Sequence, residues 1–194
     1  SEHLLETYQA ERDAHAHDLV SWAVSMGQLM QHMAATEAAE RAGNLPPQMS
    51  TATQTSGYGQ GREQPPIRSG AVVERQVSNE GATGYMLSQP TVLDQKGNAI
   101  RLDDLIGSGF ALVTNGSIAP NAKSLMIIEQ LTIKTIDTSP LSIIEGRFTE
   151  ALSAGETLLV RPDKIVFGHT DRNVSVDHLL AELAEAVTFT EQEI

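Results

Sequence analysis

Residues 157–171, TLLVRPDKIVFGHTD, read as two short strands around a turn. Leu158, Leu159 and Val160 form one apolar run, and Ile165, Val166 and Phe167 form the other. Between them, the ring of Pro162 fixes its own φ and Asp163 suits a tight turn. Residues 161–164 therefore join an antiparallel hairpin. Downstream, residues 175–187 place Val176, Leu179, Leu180, Leu183 and Val187 on one helical face, with Ser175 as a good N-cap. Hairpin and helix close a C-terminal unit.

Upstream of the hairpin, residues 110–114, FALVT, are a short, wholly apolar strand of the kind that lies mid-sheet with both faces covered. A loop over 115–121, a helix over 122–130 and a strand over 131–137 follow. A short helix is expected over 146–154, with Phe148, Ala151 and Leu152 facing in. The first β-α-β is parallel with a right-handed crossover. The resulting order, β-α-β-α-β-β-α, is the connectivity of the thioredoxin fold. The expected class is α/β: a long N-terminal helix, then a thioredoxin-like domain with a mixed sheet and no CxxC. Such a fold carries its reactive cysteines in the loop after the first strand, here 115–121. The chain contains no cysteine at all, so thiol redox chemistry is excluded and a structural or interaction role is left.

Residues 3–41 read as one helix. Leu4, Tyr8, Leu19, Trp22, Met26, Leu29 and Met33 form a stripe interrupted at Arg12 and His15. At 1.5 Å per residue this helix runs ~58 Å, longer than a small domain is wide, so it either breaks or packs on something else. Gly43, Pro46 and Pro47 stop it. Residues 43–70 are rich in Gly, Pro, Ser, Thr and Gln with no period, and read as loop or linker. Residues 84–93 are extended, and Pro90 argues for an edge. Residues 94–98 turn at Gly97, and Asp103 and Asp104 start a helical turn closed by Gly107. The expected organisation is a helix over 1–42, a linker over 43–83 and a thioredoxin-like domain over 84–194.

The formal net charge of −12 comes with no cluster of Lys or Arg, which argues against nucleic acid. No apolar run approaches the roughly 18 residues that would cross a membrane. The default location is cytoplasmic. His15 and His17 would lie ~200° apart on a helix and cannot share a metal, so no metal is expected. The pairs Asp103–Asp104 and Glu182–Glu185 lack a partner for acid–base work. Asp177 and His178, in the first turn of the last helix, read as solvated. Gly57, Gly59 and Gly61 have no strand before them and no helix after, a weak basis for a phosphate cradle. Trp22 with Met26, Met30 and Met33 reads as a packing face. Arg12, inside the stripe, is either a surface partner of Glu11 or a charge that meets a neighbouring domain; the broken stripe favours the second.

Two segments carry a resemblance. TYQAERDAHA at 7–16 resembles the Y-x-x-E-R-x-x-H-A signature of flavin-dependent aromatic hydroxylases, the class A FAD monooxygenases related to phenol hydroxylase and 3-(3-hydroxyphenyl)propionate hydroxylase. LLVRPDKIVFG at 158–168 resembles their C-terminal L-L-V-R-P-D-x-x-V-A-W, with Phe167 and Gly168 departing from it. Between them, VLDQKGNAIRLDDLIGSGFALVT at 92–114 is similar to the entry of their thioredoxin-like domain. The resemblance implies a chain like the last third of such an enzyme, after its FAD-contacting segments. Tyr8, Glu11, Arg12, His15, Arg161, Pro162 and Asp163 are carried over as structural signature positions, and no catalytic, cofactor-binding or metal residue is carried over. The parent would hydroxylate a phenolic ring with FAD, NAD(P)H and O2. This part would bind neither FAD nor NAD(P)H alone. Its implied partners are an upstream flavoprotein domain and a second copy, as a homo-oligomer such as a dimer. The alternative is an autonomous non-redox thioredoxin-like binding or dimerisation module.

Overall fold

Alternating apolar runs and turn residues from Thr91 onward build two sheets. The computed structural model describes residues 2–44, 65–78, 81–94, 96–146, 148 and 152–188, without the side chains of 2–7, 10 and 188. The elements are α1 (Glu2–Arg41), a 3-10 turn (Glu74–Gln76), β1 (Thr91–Leu93), β2 (Ala99–Arg101) and α2 (Leu102–Ile106). Then come β3 (Ala111–Thr114), α3 (Ala122–Gln130), β4 (Lys134–Asp137), β5 (Ser142–Glu145), β6 (Thr157–Val160), β7 (Val166–His169) and α4 (Val176–Thr188). The chain divides into two compact units, one of residues 1–11 with 66–194 and one of 12–65.

In the larger unit a four-stranded sheet runs β4-β3-β6-β7. β3 and β4 are parallel across the α3 crossover, β6 is antiparallel to β3, and β7 returns antiparallel to β6. This is the thioredoxin-like arrangement, with α3 after the first strand and α4 after the last. β3 and β6 lie in the middle and are wholly buried, as expected for the FALVT run. Leu112, Leu159 and Phe167 point to the face covered by α3 and α4, where Ile127, Leu179, Leu180 and Leu183 meet them. Ala111, Val113, Leu158, Val160 and Val166 point to the other face, against Leu87, Leu102 and Ile106. Each large side chain fully removed from water here contributes on the order of 1.5–3 kcal/mol.

The second sheet runs β2-β1-β5, all antiparallel. The helix expected over 146–154 falls partly outside the described residues. The described residues of that span are bend, coil and turn, while 147 and 149–151 lie outside the description. Just upstream, Ser142–Glu145 carries two adjacent isoleucines, which favour a strand, and Gly146 with φ +74 ends it. Phe148 and Leu152 nevertheless pack inward. β4 is shorter than expected because Leu131 caps α3 and Thr132 takes a positive φ of 51°.

The residues expected as linker are described at 43–44, where they are exposed, and over 65–78 and 81–83, where the chain packs against β7. Val72 and Val73 are buried. Val73 donates to the Phe167 carbonyl, Gly84 to that of Val166, and Leu87 to that of Lys164. The Gln76 amide donates to the His169 carbonyl at 2.7 Å and accepts from the His169 amide at 3.0 Å. The outer edge of β7 is thereby covered along its length. Gly168 leaves room on this edge, since a Cβ there would lie 2.7 Å from Val73 Cγ2 and 2.9 Å from Leu179 Cδ2 and would force those side chains to shift.

In the smaller unit, one face of α1 is half-buried: His15, Asp18, Trp22, Ser25, Leu29, His32, Thr36 and Ala39, in alternating steps of 3 and 4. This face is more polar than the expected stripe. Met30 and Met33 are exposed, so the Trp22 and methionine face does not form as expected; only Trp22 and Met26 are partly covered. Met30 and Met33 lie on the turns outside this 3-and-4 line, which explains their exposure. No described helix is long and apolar enough to cross a membrane.

Candidate functional site

The hairpin turn is built as its sequence dictates. Arg161 donates its amide to the Ile165 carbonyl at 2.9 Å, and the Lys164 amide returns to the Arg161 carbonyl at 3.0 Å. Lys164 closes the turn in the left-handed region at φ 67°. Asp163 Oδ1 accepts from the Ile165 amide at 3.3 Å. This conformation holds the Arg161 side chain over the turn, where it is 13% exposed.

There its guanidinium commits every donor. Nη1 donates to Glu11 Oε1 at 2.7 Å and to the Ala71 carbonyl at 2.9 Å. Nη2 donates to Glu11 Oε2 at 3.1 Å and to Asp163 Oδ2 at 2.8 Å. Nε donates to Asp163 Oδ1 at 3.1 Å. Glu11, 9% exposed, also accepts the Ala71 amide at 2.8 Å. Burial works against the Arg161 charge, but the hydrogen bond it donates to Glu11 and the carboxylates of Asp163 and Glu11 outweigh it and raise the pKa above its ordinary value. Gly70 fits beneath: a Cβ there would stand 2.3 Å from Glu11 Cγ, and its φ is +92°. A fully satisfied, bidentate pair of this kind fixes backbone segments and leaves no donor free for a ligand.

Three of the seven signature positions, Glu11, Arg161 and Asp163, thus converge, across 150 residues of sequence. Pro162 lies in the turn that carries two of them. Tyr8 and Arg12 are exposed. The charge that the interrupted stripe withdraws from water is Glu11 rather than Arg12, because successive helical residues are about 100° apart and only one of the two can face inward. In the smaller unit, His15 Nε2 hydrogen-bonds with the Pro65 carbonyl at 3.2 Å.

The loop that would carry cysteines in a redox thioredoxin fold leads into α3. Asn121 caps that helix through its side chain, accepting from the Ser124 amide at 2.9 Å. Asp177, expected to be solvated, instead reaches from α4 and accepts the Asn121 amide at 3.0 Å. Bonds from the Ser124 side chain and then the Asn121 amide hold its carboxyl below the usual range. The positive end of α3 is therefore already occupied by an internal anion. His178, expected as solvated, is exposed and lies near Glu182 at 3.2 Å. Neither Asp177 nor Gln76 carries a local sequence signal for its role, since each partner is far away in sequence.

A half-open cleft of about 360 Å³ lies between the two sheets. Val92 and Ile143 of the small sheet, Leu102 of α2, Leu141 and Phe148 form its apolar walls; Asn115, Thr138 and Ser139, just past β3 and β4, form its polar rim. Among the described residues no group of three or more metal-ligating side chains exists. The Gly57, Gly59 and Gly61 stretch lies outside the described residues.

With this geometry in place, the chain's likenesses are informative. The HcaD C-terminal domain family matches residues 84–142. Over 97% of its length the chain superposes on aklavinone-11 hydroxylase, solved with FAD and aklavinone, at 20% identity and a TM-score of 0.59; it covers 36% of that chain. Over 96% of its length it superposes on the flavin-dependent monooxygenase PieE, solved with FAD and substrate, at 16% identity and a TM-score of 0.56, covering 40% of that chain. No curated protein matches by sequence. The fold is therefore a long helix with a thioredoxin-like domain, as found in part of the flavin-dependent hydroxylases that the sequence resembles. The chain spans well under half the length of these solved structures.

The described residues do not fit a flavin themselves. No Gly-x-Gly-x-x-Gly turn joins a strand to a helix among them. The one helix that follows a parallel strand, α3, presents the Asp177 carboxylate at its N-terminus, where a pyrophosphate would be repelled.

Proposed function

We propose that this chain is the C-terminal part of an FAD-dependent monooxygenase that hydroxylates a phenolic aromatic substrate with NAD(P)H and O2, and that this part is structural and oligomerising rather than catalytic. The observation that carries the reading is the likeness, over nearly the whole chain, to two flavin-dependent hydroxylases. The Glu11–Arg161 clamp supports it from within, because its two sides come from the two segments that resemble the family signature. In this reading α1 packs on an upstream flavoprotein domain, the flavin is held there, and the organisation is the helix over 1–42, the linker over 43–83 and the domain over 84–194. The protein is a cytoplasmic homo-oligomer.

The test is optical. Full-length product of the gene should be yellow, release FAD on denaturation, and oxidise NAD(P)H faster when a phenol is present. The 194-residue chain alone should stay colourless with added FAD. A full-length product without flavin would overturn the reading. It would favour an autonomous non-redox thioredoxin-like binding or dimerisation module, which the absence of cysteine and the internal capping of α3 by Asp177 also suit.

A further inference from the structure

We propose that the cleft between the two sheets is a binding site for a small neutral ring compound bearing a hydroxyl group. This stands apart from the proposed activity and concerns only residues of this chain.

The position is the first argument. Asn115 and Thr138 directly follow the parallel strands β3 and β4, and crevices beyond the carboxyl ends of such strands are where open α/β sheets take ligands. Size and lining come next. About 360 Å³ lies at the lower end of ligand pockets, which run roughly 300–1,000 Å³. Apolar walls with the Phe148 ring suit an aromatic or alicyclic body, and no lining residue is charged, so an ion would enter uncompensated.

The rim sets the polar specificity. Asn115 Nδ2 already donates to the Leu152 carbonyl at 2.9 Å, and the Thr138 hydroxyl donates to the Thr114 carbonyl at 2.9 Å. The Ser139 hydroxyl is engaged with Asp137; the Ser139 amide, then this hydroxyl, then the Gly116 amide keep that carboxyl below its ordinary range. With their hydrogens committed, the Thr138 and Ser139 hydroxyls offer only oxygen lone pairs, while Asn115 keeps its Oδ1 and a second Nδ2–H. The group this rim selects is one that both donates and accepts, an alcohol or phenol, in preference to an ether, a ketone or an anion.

The experiment uses methyl-labelled 194-residue chain and follows Leu102, Leu141 and Ile143 by NMR while titrating 2-naphthol, 2-methoxynaphthalene and naphthalene-2-sulfonate. Saturable shifts confined to these methyls with 2-naphthol are expected. The methyl ether should bind about three- to tenfold more weakly, the equivalent of one hydrogen bond, and the sulfonate should not bind. Leu141→Trp and, separately, Ile143→Trp fill the cleft and should abolish the shifts; a thermal melt like that of the parent chain shows that the variant is folded. No saturable response at millimolar naphthol, or a response centred on the exposed residues of α1, would overturn the site. Equal affinity for naphthol and its ether would overturn the assignment of ligand class.

Discussion

Arg161 and Arg75 each grip a glutamate with both ends of the guanidinium, Arg161 on Glu11 and Arg75 on Glu182. The geometry is nearly the same, but the surroundings are not. The first pair is 13% and 9% exposed, and Ala71 and Asp163 use up its remaining donors and acceptors. The second is 53% and 21% exposed and is flanked by the exposed His178 ring on Glu182, although the Glu182 hydrogen bond and charge still raise the Arg75 pKa. The difference teaches that burial and satisfied neighbours, rather than bidentate shape, decide what an ion pair is worth. Water screens the outer pair. Inside, removing one partner strands a charge that cannot be rehydrated.

Breaking the inner pair should give the largest effect. Glu11→Ala should lower unfolding free energy by roughly 3 kcal/mol in urea titration, since Asp163 can only partly compensate Arg161. A Glu11→Ala, Arg161→Met double mutant should recover a measurable part of that loss; strict additivity would show that the clamp is only a surface pair. Next in size is Gly70→Ala, which forces a Cβ into Glu11 at a positive φ and should cost about 2 kcal/mol by the same titration.

A smaller effect is pH-dependent. The Asp177 pKa is lowered in the fold, so its contribution is present above the unfolded carboxyl value of about 3.9 and is lost as pH falls through the lower folded value. Asp177→Asn should therefore lower stability at pH 7 slightly and flatten its decline between about pH 4 and 2, where parent and variant converge. A decline of unchanged slope would remove Asp177 from the account. The smallest effect belongs to the outer pair: Glu182→Ala should change stability by no more than about 1 kcal/mol, and less still in 1 M salt. A loss matching that of Glu11→Ala would break the contrast between the two pairs.

Much of the architecture is legible in the chain because local patterns agree with their surroundings. FALVT and TLLV are apolar but for one threonine each, which suits a strand buried on both faces, and they supply β3 and β6. RPDK carries its own turn chemistry. The last helix announces its N-cap, Ser175, which accepts the His178 amide. What resists reading depends on partners distant in sequence. The strand Ser142–Glu145 goes unread because its adjacent isoleucines find β1 about fifty residues upstream. The stripe on α1 marks Arg12 as the odd charge, whereas the charge withdrawn from water is its neighbour, because a carboxylate can be satisfied by the distant Arg161 and the Ala71 amide. The polar rim of the cleft and the capping of α3 by Asp177 are likewise assembled by tertiary structure and leave no local spacing to detect.

The Gln76 side chain has a consequence for dynamics. Its amide takes the place of a missing strand opposite His169. The His169 amide proton is therefore shielded by a rotamer and not by a ladder of backbone bonds. Its exchange with deuterium should report side-chain opening at that one position, faster than the exchange of Leu159 at the centre of the sheet, and it gives a local clock for how firmly the segment over β7 stays closed.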